Sequence, residues 1–291
     1  MRALGTGDLH VAAAAVERLA DGLARISQGR VRIAIEPEAP DTAAVAAGLR
    51  SGAATLGWVR IAELADLVPE VAALSVPFLF RDPKKALAIL DAGSLGPLLD
   101  DQLRKQGLEP LGYLNVGALR LAGAAAPSIP DLAGQRIMAR PGPLRAVAFG
   151  ALGAELVAGG MAGDIGSAPL AELRTDDLAA AGTRGPLALA EQPHAYDLVV
   201  LCAGRERFEE FAPDVREMLR GQVRETVTWQ RGGTAQLDAA ALADLRQKGA
   251  QVTPLPEEQL GQTHERVKAA VIEALRGADP SIVRTVLAYA D

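Results

Sequence analysis

The sequence is short of aromatic residues, cysteine, histidine and long apolar runs, and each shortage removes a class of function. Phe, Trp and Tyr together make up 3% of the 291 residues, too few to build a surface on which nucleobases stack. Acidic residues outnumber basic ones, 36 against 30, for a formal net charge of −6. Without a basic stripe the chain has no footprint for nucleic acid or for an anionic membrane surface. The single cysteine, Cys202, can close no intrachain disulfide. It lies within the apolar run Leu198 to Ala203, where a thiol is buried and inert. The longest uncharged apolar stretch near the start, Val11 to Val16, is too short for a signal-peptide core and far too short for a membrane span. Two expectations stand side by side: a cytoplasmic protein, or a periplasmic one whose targeting segment was removed before Met1.

Catalytic and cofactor motifs are missing too. His10, His194 and His264 form no His-x-x-x-His pair for a metal. Gly166-Ser167-Ala168-Pro169 is not a nucleophile elbow. The glycines Gly159, Gly160, Gly163 and Gly166 lack both the phosphate-binding lysine and the dinucleotide spacing, which leaves them as a loop. After Gly5-Thr6-Gly7 the dinucleotide pattern requires glycine where His10 stands. The expectation is a protein with no catalytic residue, no metal and no cofactor.

What is present is an ordinary globular balance, 49% hydrophobic and 23% charged, in a chain long enough for two domains. Arg2 to Leu4 reads as a strand. Val16, Leu19, Leu23 and Ile26 recur at helical spacing until Gly29 stops them. Arg30 to Ile35 alternates as a half-buried strand should. Asp41 caps a helix through Leu49, a strand spans Gly52 to Val59, and Pro83 opens a helix running to about Lys105. Further strands are expected near Leu111 to Leu121, Gln135 to Ala139, Tyr196 to Ala203 and Gln251 to Leu255. Helices are expected from Pro143 to Leu152, from Pro213 with an interruption at Gly232-Gly233, from Glu257 to Leu275 and from Pro280 to Tyr289. Strands alternating with helices predict α/β architecture with largely parallel sheets, in which ligands sit beyond the carboxyl ends of the strands.

Several segments stand in an order that resembles the DctP family, the extracytoplasmic solute-binding proteins of TRAP (tripartite ATP-independent periplasmic) transporters. They are Gly29-Arg30-Val31, Leu49-Arg50-Ser51-Gly52, Pro69-Glu70, Ser75-Val76-Pro77-Phe78-Leu79-Phe80, Gly107-Leu108, Asp131-Leu132-Ala133-Gly134, Leu152-Gly153-Ala154, and Lys248-Gly249 after the long helix. The resemblance spans nearly the whole chain. It implies a periplasmic-binding-protein-like fold of two α/β lobes, with crossing segments, a long helix and a ligand cleft between them. The lobes would take residues 1–117 plus 203–246, and 118–202 plus 247–291. It further implies a monomer that closes over a small organic ligand and delivers it to a TRAP-type membrane permease.

The family grips carboxylates with an arginine four residues after the glycine of Asp-Leu-x-Gly, and here that position is Met138. Arg140 shares its strand face but lies about 6.6 Å further along, two residues at roughly 3.3 Å each. Arg120 matches a position that assists with the carboxylate in some members, and a guanidinium fork suits that task. The ligand-binding candidates are therefore Arg120, Met138, Arg140, Trp58, Thr6 and Asp8. Each has a plainer alternative: a surface ion pair for Arg120, a solvated edge for Arg140, core packing for Met138 and Trp58, and helix capping for Thr6 and Asp8. Two rival functions remain open, an apolar or lipid-like ligand favoured by Met138, and an unrelated α/β enzyme or ligand sensor.

Overall fold

The computed structural model describes residues 1–6, 9–36, 39–91, 95–125, 129, 132–159, 170–181 and 186–290, without the side chains of His10 and Ala181. Asp8 and most of the glycine loop Gly159 to Ala168 therefore lie outside the described residues.

The chain opens with β1 (Arg2–Leu4), α1 (His10–Ile26) and β2 (Ala34–Glu36), with β1 and β2 parallel. The stripe Val16, Leu19 and Leu23 is buried, and Gly29 ends the turn after α1 with φ of +79°. The strand expected from Arg30 begins only at Ala34. Its neighbour β1 has three residues, and pairing starts where Arg2 meets Ala34. Next come α2 (Thr42–Arg50), capped by Asp41 accepting from the Ala44 amide at 2.7 Å, and the wholly buried β3 (Leu56–Arg60). After α3 (Pro69–Ala72), the helix expected from Pro83 to Lys105 is two helices, α4 (Lys84–Asp91) and α5 (Gly96–Lys105). α5 turns back closely on α4: a Cβ on Gly96 would stand 2.7 Å from the Leu90 carbonyl oxygen.

Two strands then organise the molecule. β4 (Leu108–Gly123) and β9 (Ala195–Gly204) pair antiparallel along nearly all of β9, with register shifts at Pro110/Gly112 and Asn115/Gly117. Between them come β5 (Arg136–Ala139), α6 (Pro143–Ala151), β6 (Glu155–Ala158), β7 (Leu170–Arg174), α7 (Thr175–Ala181) and β8 (Ala188–Ala190). The strands form one ten-stranded array, ordered β2-β1-β3-β9-β4-β7-β5-β6, with β8 on β4 and β10 (Gln251–Thr253) on β8. The array is mixed rather than largely parallel, since every pairing to β9 and β4 is antiparallel. Its continuity has one cause: β4 pairs with β9 over its first part and with β7 and β8 at its end, so one strand belongs to both halves.

α8 (Arg205–Glu209) leads into α9 (Pro213–Gln247), a continuous helix of 35 residues. Gly232-Gly233 does not interrupt it. Each glycine costs about 1 kcal/mol in a helix, but the flanking residues are tied to β4. Gln230 bonds both backbone groups of Asn115, accepting at 3.1 Å and donating at 2.5 Å, and Arg231 Nε donates to the Tyr113 carbonyl at 3.0 Å. α10 (Glu257–Ala274) and α11 (Pro280–Ala290) close the chain. One apolar core gathers α1, Trp58, Leu114, Val116 and the start of α9, and a larger one lies under α2, α6, α10 and α11. Among the described residues no helix is long and apolar enough to cross a membrane.

Candidate functional site

The carboxyl ends of β3, β5 and β7 meet at one tight recess of about 10 Å³, room for a single water molecule, where open α/β sheets bind ligands. β3 ends on Arg60, β5 runs into Arg140 and β7 ends on Arg174. Arg145 from the first turn of α6, Glu172, Asp177, Asp197 and the apolar Ala62, Leu119 and Leu173 complete the lining. Four arginines and three carboxylates thus share a space from which water is largely removed.

The charges are held in pairs. Arg60 is buried against Asp197 and also meets Glu63 at 3.2 Å. Asp197 stands opposite Gly117 on β4, so the pair sits beside the register shift. Arg145 pairs with Glu172, and its Nε donates to the Arg140 carbonyl at 3.3 Å. Burial draws the Arg145 pKa down to about 10; Asp197 opposes that shift, while Arg60 and Arg140 add to it. The group is still a cation at neutral pH, in surroundings that an incoming anion would relieve. Glu172 Oε1 lies 2.8 Å from His194 Nε2. The His194 ring stacks on Phe78 at 4.6 Å, and its burial, with Arg145 and Arg120 nearby, holds its pKa well below the usual value.

Arg174 is anchored on one edge. Its Nε and Nη2 donate to the two oxygens of Asp177 at 2.9 and 2.7 Å, a bidentate geometry. Burial opposes its charge, but Asp177, then Asp197 and Asp176, raise its pKa above the ordinary arginine value. Its Nη1 is buried without a hydrogen-bond partner.

Among the described residues expected to touch a ligand, Arg140 alone lines this recess. Arg120 is buried with its nitrogens engaged: Nε donates to the Glu191 carbonyl at 3.0 Å, and the fork holds Asp238 of α9 at 2.7 and 3.0 Å, with Thr175 beside it. Met138 is buried among Ala171, Leu173, Leu178 and Ala122. Trp58 is wholly buried, and a Cβ on Gly5 would fall inside its indole ring. Thr6 is buried in the turn after β1, and its carbonyl accepts from the Leu9 amide at 3.2 Å. It does not cap α1, which starts at His10 behind Leu9 with no side-chain cap.

The charged lining residues outside the expected set are Arg60, Arg145, Glu172, Arg174, Asp177 and Asp197. A signal for three of them was legible: Glu172 and Arg174 alternate with apolar residues in Leu170 to Arg174, and Asp197 opens an apolar run. Charges embedded in a buried strand must be paired. Among the described residues no group of three or more His, Cys, Asp and Glu side chains could hold a metal.

The whole fold recurs in solved proteins. A TRAP periplasmic solute-binding protein from Ochrobactrum anthropi, solved with its C-terminus bound in the ligand-binding pocket, superposes with a TM-score of 0.87 at 21% identity, covering 99% of this chain and 93% of that one. The sugar acid binding protein DctPAm from Advenella mimigardefordensis strain DPN7T, in complex with galactonate, gives 0.82 at 23% identity, covering 100% and 97%. The 2,3-diketo-L-gulonate-binding periplasmic protein YiaO of Escherichia coli (strain K12) is 25% identical over 266 residues, 85% of this chain and 77% of that protein. The fold is thus the two-lobed one of these binding proteins. The family model DctP, bacterial extracellular solute-binding protein, family 7, matches residues 4–159, more than half of the sequence, and the chain belongs to that family.

Proposed function

We propose that this solute-binding protein captures a small organic acid at the ends of β3, β5 and β7, where the tight recess opens as the lobes part, and performs no chemistry on it. The observation that carries this is the gathering of Arg60, Arg140, Arg145 and Arg174 at the place where the fold binds ligands. Buried guanidiniums seat a carboxylate through parallel, charge-assisted hydrogen bonds. The ligands named for two relatives, galactonate and 2,3-diketo-L-gulonate, are small organic acids. The apolar alternative lacks such support, because Met138 packs into a cluster rather than lining the recess.

The mechanism is hinge closure, with the ligand favouring the shut form through contacts to both lobes. The first crossing falls at 117/118, beside the register shift at Asn115/Gly117. The return crossing is taken at 202/203, on β9, which pairs with both β3 and β4. The closed monomer works in the periplasm and delivers its ligand to a TRAP-type permease, without nucleic acid or cofactor. A thermal-shift panel of galactonate, 2,3-diketo-L-gulonate and succinate, each beside an uncharged amide, tests the reading. An acid at a hundred times its Kd adds about 2.7 kcal/mol of stability, and its amide adds little. Stabilisation by amides or long-chain lipids but by none of the acids overturns it.

A further inference from the structure

We infer that Arg174 is the seat of the ligand's carboxylate, an inference that rests on the acid reading above and names the residue that enforces it. The guanidinium is almost fully buried, and its orientation is fixed before any ligand arrives, because Nε and Nη2 are both held by Asp177. That bidentate grip leaves Nη1 on the opposite side of the group, buried and without a hydrogen-bond partner. A charged donor in that state is costly unless something fills the place of the missing acceptor. A ligand carboxylate does so, and it meets a donor that needs no reorganisation.

Space for this arginine is built into the crossing strand. A Cβ on Gly117 would lie 2.8 Å from Arg174 Cδ and 3.2 Å from Cγ, so the glycine at the register shift is what lets the stem pass. Neighbouring arginines are committed differently: Arg60 to Asp197 and Glu63, Arg145 to Glu172, and Arg120 to Asp238. On β5 the side chain one strand away is Met138, paired in register with Ala171 and turned to the apolar cluster. Met138 lies on the opposite face of the sheet from Arg174, because its partner Ala171 is an odd number of residues from Arg174.

Calorimetry separates this inference from the reading beneath it. The panel acid that stabilises the wild type most, and its amide, are titrated into wild type and R174Q. The wild type prefers the acid, and R174Q loses at least about tenfold in acid affinity, as expected for a charge-assisted bond. Its affinity for the amide, whose carbonyl is a weaker acceptor than a carboxylate, falls much less, so discrimination collapses. If no panel acid binds the wild type, the acid reading fails and takes this inference with it. If R174Q discriminates acid from amide as well as the wild type does, Arg174 is not the seat, and the acid reading stands. Should R174Q not fold, a crystal structure of the wild type with that acid decides. A carboxylate oxygen within hydrogen-bond distance of Nη1 supports the assignment, and a carboxylate seated on Arg120 or Arg140 with Nη1 untouched overturns it.

Discussion

Both terminal nitrogens of Arg120 are held by the two carboxylate oxygens of Asp238, at 2.7 and 3.0 Å, which fastens the end of β4 to α9 across 118 positions of sequence. The arginine side chain is 4% exposed and the aspartate 22%, so the pair is mostly shielded from solvent. Asp238→Ala leaves a buried cation with only Thr175 and the Glu191 carbonyl, and such stranding costs about 3 kcal/mol. Urea unfolding should show a lower midpoint with little change in slope. An unchanged midpoint would mean that the pair contributes nothing.

Gly5 and Trp58 make a second dependent pair. Any side chain at Gly5 enters the space of the indole, so Gly5→Ala must displace a wholly buried ring. Overpacking of this kind costs about 1–3 kcal/mol or more. The loss appears as a lower melting temperature, and the tryptophan emission shifts red as the ring moves towards water. Trp229, which is already half exposed, supplies a constant background. Wild-type stability in the variant would contradict the packing described.

His194 sets a pH dependence. Its folded pKa lies well below the usual value, through burial and then through Arg145 and Arg120. The unfolded chain titrates it near about 6.5, so below that pH the unfolded state binds the extra proton. Stability is therefore complete above about pH 6.5 and declines as pH falls, by up to about 1.4 kcal/mol per unit. His194→Gln removes this slope. Denaturation midpoints measured between pH 6.5 and 5.5 should fall more steeply for the wild type than for the variant, and parallel profiles would refute the assignment.

Cys202 should be silent. Its thiol is fully buried, and burial, with Asp100 and Glu109, raises its pKa far above the ordinary value. Iodoacetamide labels the urea-unfolded chain and leaves the native protein unmodified. Rapid native labelling would show that β9 opens readily.

The elements with uninterrupted patterns were legible from residues alone: α1 from its buried stripe, α2 from the Asp41 cap, and β9 from its valine and leucine run. The failures have specific causes. Gly232-Gly233 suggested a break, but Gln230 and Arg231 hold α9 to β4 by contacts over 100 residues away in sequence. β6, β7 and β8 are short, and β7 runs straight into α7 with no turn residue to mark its end. The recess was the least legible feature. Arg174, Glu172 and Asp197 become neighbours only through the registers of β7 and β9 against β4. Arg140 was readable because it stands just past a recognisable strand. Arg120 was expected at the ligand or in a surface ion pair, whereas its pair with Asp238 is buried, and that partner was not readable.

Mass spectrometry of the small molecule released from protein purified out of its native source tests the central claim most directly. The account predicts a small organic acid, about one per chain, whose retention falls with Arg174→Gln. An uncharged or lipid-like molecule held at the same stoichiometry would contradict it.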